Sequence, residues 1–246
     1  MNVVTRPQRT FTDRRFFISA ANGIAAIVFI GFARTYYLRT LFGMPAMPLL
    51  RMPGLPLFLQ VHGLIMISWI VLFFTQTCLI AAHRVDWHRR FGMFGAVLAG
   101  LIVVVGTIVT VHAAAGAVQI PPTRPPGFLR LLGFNLINLL IFASLVGSAI
   151  VLRRRSDCHK RLMLLDTLSL LPPAIGRIPV GFMNPVVNLL LVDLCVLLPV
   201  AIDTFRNHWL HPAFGWGALL ILVAFNLTYL GVQTQTWMRF ATWLVS

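Results

Sequence analysis

Histidines set among apolar runs are the residues of this chain whose type and spacing could do chemistry, and the chain has seven of them. An imidazole inside hydrocarbon is costly when nothing pairs with it, so each one demands a partner or a ligand. With the apolar runs laid out as helices, four histidines fall at two depths. His88 opens one run within His88-Arg89-Arg90-Phe91-Gly92, and His159 opens another within His159-Lys160-Arg161-Leu162-Met163. His62 lies about two turns inside the run that precedes His88, and His112 lies near the far end of the run that His88 begins.

Helix packing distances decide what each pair can hold. Neighbouring helices are ~8–10 Å apart, too close for a haem with an imidazole on each face, whereas helices diagonal in a four-helix core are ~12–14 Å apart. If the second to fifth helices form such a core in sequence order, the third and fifth are diagonal. His88 and His159 are then the expected axial pair of a b-type haem. His62 and His112, on neighbouring helices, suit hydrogen bonds to a quinone-like headgroup or a small ion, and Asn135 shares the depth of His62. A plainer role competes in each case. Basic residues at a helix start meet lipid phosphates or satisfy exposed backbone groups, and His62 and His112 also suit simple packing. No motif has metal-ligand spacing of high specificity. His208-Trp209-Leu210-His211 reads as an interfacial segment. Met44, Met47 and Met52 offer thioether sulfur of the kind Cu(I) prefers, or are three flexible apolar residues in a loop. Gly92, Ala96, Gly100 and Gly106 let another helix, or a planar ring, come close.

The fifth and sixth apolar runs carry Asp166, Arg177, Asn184, Asn188, Asp193 and Asp203. In the hairpin they would form, Arg177 comes within long-side-chain reach of Asp193, and an intramembrane ion pair is expected. Asp166 follows His159 by seven residues, hence on the same helical face, as a proton relay or as a packing partner. Pro172-Pro173 should interrupt this helix and free carbonyls that need polar partners.

These residues sit in a chain of 246 residues that is 58% hydrophobic and 11% charged, against about a quarter charged in a soluble domain. Mean hydropathy is +0.85. A spanning helix needs roughly 20 apolar residues, and seven runs approach that length. They are placed at Phe16 to Leu38, Leu55 to Ala82, Phe91 to Gly116, Phe128 to Leu152, Leu162 to Val180, Pro185 to Phe205 and Ala213 to Gln233. The expected fold is an all-α polytopic membrane helix bundle in one domain, with residues 1–15 as a basic cytoplasmic arm. The first run is too long for the apolar part of a signal peptide and should remain as an anchor.

The formal charge of +14 would suit nucleic acid on a soluble protein. Here the cations lie between apolar runs, where they set orientation and meet anionic lipid, so nucleic acid is excluded as a partner. Arg84, Arg89 and Arg90, then Arg153, Arg154, Arg155, Lys160 and Arg161, then Arg206, all fall on the face of the arm, which places the N-terminus inside. The opposite connections hold Pro45, Pro48, Pro53 and Pro56, then Pro121, Pro122, Pro125 and Pro126. Cys78, Cys158 and Cys195 form no paired framework and are expected as thiols.

The stretch from His62 to Arg177 resembles an uncharacterised family of bacterial multipass membrane proteins. The likeness rests on His62-Gly63, Gln76, Arg84, Trp87-His88-Arg89-Arg90-Phe91-Gly92, His159-Lys160-Arg161-Leu162-Met163 and Arg177. It implies residence in the bacterial inner membrane and brings no assigned reaction. His62-Gly63-Leu64-Ile65-Met66 with Arg84 and His88 also resembles the ascorbate-dependent transmembrane cytochrome b family, in which histidines on four core helices hold two haems. The fourth run of this chain has no histidine, so that resemblance implies one haem at most.

Three functions are compatible with this reading. One is a membrane redox protein with a haem b between His88 and His159 that exchanges electrons with a quinone or another membrane redox protein near His62, His112 and Asn135. Another is a transporter built on Arg177, Asp193 and the broken helix. The third is an accessory or assembly subunit of a larger membrane complex, or a homo-oligomer. Whether the chain is an enzyme stays open at this stage.

Overall fold

The computed structural model describes residues 7–42, 57–118 and 126–245. Helix α1 (Pro7–Phe32) continues into a π-helical turn (Ala33–Tyr37), and α2 (Arg39–Phe42) follows. Then come α3 (Leu57–Ala81), α4 (Val85–Val118), α5 (Pro126–Val151), α6 (Ser156–Ser169) and α7 (Pro172–Ile175). The chain closes with α8 (Pro185–Asn207), α9 (Pro212–Gly231) and α10 (Gln235–Val245). Six helical stretches are long and apolar enough to cross a membrane, and no strand occurs among the described residues. The protein is an all-α polytopic membrane helix bundle. Met44, Met47 and Met52 lie outside the described residues.

Local chemistry sets the helix ends. The Asn184 side chain accepts the backbone N–H groups of Val186 and Val187, both at 3.0 Å, and Pro185 takes the first helical position of α8, where a missing N–H costs nothing. His208 ends that helix in the left-handed region at φ 59°. Pro172 and Pro173 bring no N–H for the carbonyls at the end of α6, so that helix stops at Ser169. Two helices begin earlier than their apolar runs. Helix α4 starts at Val85 rather than Phe91, with Asp86 in its first turn facing the positive end of the helix dipole. Helix α1 takes in much of the basic arm, and Asp13 there is held by two cations.

Side-chain contacts define the two ends of the bundle. At the basic end Asp13 meets Lys160 at 2.8 Å and Arg206 at 3.0 Å, while Arg14 contacts His83. These join α1, the α3–α4 turn, the start of α6 and the end of α8. At the opposite end the Tyr36 hydroxyl donates to the Gln60 carbonyl, the Arg177 guanidinium stacks 5.0 Å from the Phe32 ring centre, and Trp237 Nε1 donates to the Leu129 carbonyl at 2.9 Å. Helix α6 therefore starts at the basic end, and the chain has reached the other end by Arg177. The fifth of the seven expected runs is split into α6 and α7 and is not among the six stretches of spanning length.

One buried cluster joins α1, α5, α6, α8 and α9 through Ile24, Leu145, Leu165, Val196 and Ile221. A second joins α3 to α6, with Trp69, Ile102, Phe142 and Leu170 in one group. The indole of Trp69 meets Phe142 edge to face at 5.1 Å and donates to Thr167 Oγ1 at 3.3 Å. Helices α3, α4 and α5 and the end of α6 thus share one buried cluster.

Gly31 is where α1 touches α7, since a Cβ there would stand 2.1 Å from the Ala174 carbonyl oxygen. A Cβ at Gly23, two turns earlier, would meet nothing within 4 Å. Gly31→Ala is expected to lower stability by about 1–3 kcal/mol. Gly23→Ala should leave it unchanged or raise it slightly, with both read as thermal unfolding midpoints in detergent.

Candidate functional site

Helix α4 carries His88 inside its first turn and α6 carries His159 inside its first turn, so both rings arrive at the basic end of the four-helix core. Their centroids are 6.4 Å apart and their planes cross at 80°. Two metal–nitrogen bonds of ~2 Å plus the ring radii place the centroids of two imidazoles on one metal roughly 6 Å apart. The expected diagonal pair is brought together at that spacing.

Each ring has a distinct surrounding. His159 Nδ1 lies 2.9 Å from the Ala149 carbonyl, which can only accept, so Nδ1 carries the proton and Nε2 keeps its lone pair. Ala149 is in the last turn of α5, where carbonyls lack intrahelical partners, and His159 thereby also caps that helix. A carbonyl on the far ring nitrogen is the usual way a ligating histidine is held in orientation. His88 Nδ1 is buried and has no hydrogen-bond partner. Gln76 Nε2 donates to the His88 carbonyl at 3.1 Å, while Gln76 Oε1 is buried without a partner.

The donor set decides what the pair suits. Among the described residues no group of three or more His, Cys, Asp or Glu side chains stands close enough to hold a metal ion, so a bare ion wanting four protein ligands is poorly served. A haem brings four nitrogens and asks the protein for two. Gly92 and Ala96 continue the α4 face of His88 at one-turn intervals and are exposed. A Cβ at Gly92 would meet nothing nearer than Gln76 Nε2 at 3.7 Å. The pair could offer two imidazoles to a group that brings its own ring nitrogens, with Gly92 and Ala96 exposed beside it.

The other sequence-predicted residues are distributed differently. His112 packs edge to face on Phe58 at 4.9 Å, one turn before His62 on the same face of α3. His62, His112 and Asn135 make no hydrogen bond or ring contact with one another. His62 instead lies beside Gly63, where a Cβ would stand 2.7 Å from the Tyr36 ring of the π-helical turn. The expected Arg177–Asp193 ion pair does not form. Arg177 Nη1 donates to the Pro173 carbonyl at 2.6 Å, freed by the helix break, and Asp193 accepts from Asn226 at 3.1 Å. The break keeps the guanidinium at its own end of the bundle while α8 carries Asp193 away from it. Asp166 is wholly buried, accepts from Thr167 Oγ1 at 2.9 Å, and has its second oxygen unpartnered. That hydroxyl also receives the indole of Trp69, which places Asp166 in the packing of the core.

The strongest polar contact of the bundle escapes sequence reading. Arg161 donates from Nε and Nη2 to the two oxygens of Asp203 at 2.9 and 3.0 Å, with both residues buried. Forty-two residues separate them, and no local pattern signals the pairing. Asn138 is likewise buried, with its oxygen unpartnered. His211 caps α9, its Nδ1 accepting the Ala213 N–H at 3.1 Å, which requires a neutral ring.

The fold and these contacts define a multipass helical membrane protein with a paired-histidine site at its basic end. No protein-family model, curated protein or solved structure matches the chain.

Two measurements follow from these contacts. Arg161→Ala strands the Asp203 carboxylate in the interior and should cost about 3–5 kcal/mol, whereas Arg161→Met with Asp203→Leu should recover most of it, both read by unfolding in detergent. Burial pushes the His211 imidazole below its ordinary value, with Arg161 adding to the effect and Asp157 and Asp203 opposing it. A folded-state value below the unfolded one means this contribution is complete above the unfolded value near 6.5 and is lost as pH falls toward the folded one. The thermal midpoint of His211→Asn, which can still cap, should fall less on mild acidification than that of wild type. An identical fall in both would assign the acid sensitivity elsewhere.

Proposed function

We propose that this protein is a membrane redox protein that holds one haem b between His88 and His159 and passes electrons to or from a lipophilic partner. The observation that carries the reading is the 6.4 Å spacing of the two rings on diagonal helices. The Ala149 hydrogen bond supports it by turning His159 Nε2 toward use as a ligand. Bound there, a haem would supply one-electron chemistry, with its potential set by the two neutral imidazoles and by the surrounding cations. His159 would be oriented by α5, His88 by α4, and Gly92 and Ala96 would leave the room.

Topology completes the proposal. The basic end would face the cytoplasm of a bacterial cell, because Arg84, Arg89, Arg90, Arg153, Arg154, Arg155 and Arg206 gather there and basic loops are retained inside. The site would then lie near the cytoplasmic face of the inner membrane, and a quinone or a second membrane protein would be its exchange partner.

Protein purified from cells supplied with a haem precursor should show a Soret band that shifts on dithionite reduction. His88→Ala and His159→Ala should each abolish or displace it, while His83→Ala should leave it intact. A folded, colourless preparation, or an unchanged spectrum in both ligand variants, would refute the assignment.

A further inference from the structure

Arg161, Arg177 and Arg206 each pack against an aromatic ring in the bundle, and of the three Arg177 lacks a carboxylate. Arg161 is matched by Asp203. Arg177 has the Pro173 carbonyl on Nη1 and the Phe32 ring against its face, but no acidic side chain. None is left to supply one, since the whole sequence contains six acids and no glutamate. Asp13 serves Lys160 and Arg206, and Asp157 serves Lys160 and Arg161. Asp203 serves Arg161, Asp193 is taken by Asn226, and Asp166 is enclosed beside Thr167. Asp86 sits in the first turn of α4 at the basic end. Arg177 is half-buried, and a guanidinium lodged against an aromatic ring with no carboxylate beside it favours an anion as partner.

The groups around Arg177 are also unfilled. His62, next to the Gly63 that packs on Tyr36 of the π turn, has a buried Nδ1 without a partner. Thr35, in the π-helical turn one turn beyond Phe32, has a buried unpartnered hydroxyl. Asn188 donates from Nδ2 to the Pro172 carbonyl, and its oxygen is buried and unpartnered. Two irregularities of backbone meet here, the π turn after α1 and the α6–α7 break, and both are features that accompany ligand sites in membrane helices.

We propose that Arg177, with His62, Thr35 and Asn188, forms a binding site for an oxyanion of the phosphate type at the end of the bundle opposite the paired histidines. The guanidinium meets the charged oxygens, Thr35 and His62 offer donors, and the Asn188 oxygen receives a ligand hydroxyl. A lipid headgroup and a dissolved anion share this chemistry. The site is independent of any haem.

The full-length protein in dodecyl maltoside would be titrated with inorganic phosphate and, separately, with dodecyl phosphate, reading the shift of the thermal unfolding midpoint. Wild type is expected to be stabilised by at least one probe. Arg177→Gln should weaken the apparent affinity by ~10–100-fold, the value of charge-assisted hydrogen bonds, with Arg34→Gln as an unaffected control at the same end. Arg177→Lys keeps the charge and loses the fork, so it should fall between and serves if the glutamine variant does not fold. Saturation by inorganic phosphate would identify a dissolved ligand, and a response to dodecyl phosphate alone would identify a headgroup. No shift in wild type with either probe, or an equal shift in Arg177→Gln or Arg177→Lys, would overturn the site.

Discussion

Arg161 and Asp203 meet through two parallel hydrogen bonds in the interior, and the basic end of the bundle is arranged around them. A fork of this kind repays the removal of both charges from water only when geometry is good on both sides, so it fixes the start of α6 against the end of α8 within narrow limits. The Phe214 ring lies 5.6 Å from the guanidinium carbon and brings α9 to the same point. His159 stands two residues before Arg161. Its ring is therefore delivered to the end of α5, where the Ala149 carbonyl would otherwise lack a partner.

A second constraint is the scarcity of acids. With six carboxylates among twenty lysines and arginines, each acid has to be shared or reserved. Asp13 and Asp157 are shared at the basic end, where water and headgroups screen the remainder. The opposite end has arginine but no acid within salt-bridge distance of it. This asymmetry puts the internal ion pairs at one end of the bundle and an arginine without a carboxylate at the other.

Between the ends, polar groups are tolerated where they are tied to backbone. Thr77, Thr107 and Ser144 donate to carbonyls one turn back, which removes their hydroxyls from the lipid problem. Against this background the unpartnered atoms of His88, Gln76, His62 and Asn188 stand apart. Further unpartnered atoms, on Asn138, Asp166 and Asp193, lie elsewhere along the helices.

Much of this was legible in the residues alone. Apolar runs of spanning length, Pro172-Pro173 as a break, and His88 and His159 at one depth all follow from rise per residue and the cost of exposed backbone, which are local properties. Helix starts were less legible, because Asp86 and Asp13 extend α4 and α1 past their apolar runs through electrostatics that hydropathy does not measure. Partner choice was beyond the sequence. Arg177 turned to the Pro173 carbonyl and Asp193 to Asn226, and Arg161 found Asp203 across forty-two residues. Depth in a membrane is set by counting along one helix, whereas which face meets which neighbour is decided only when every helix has packed.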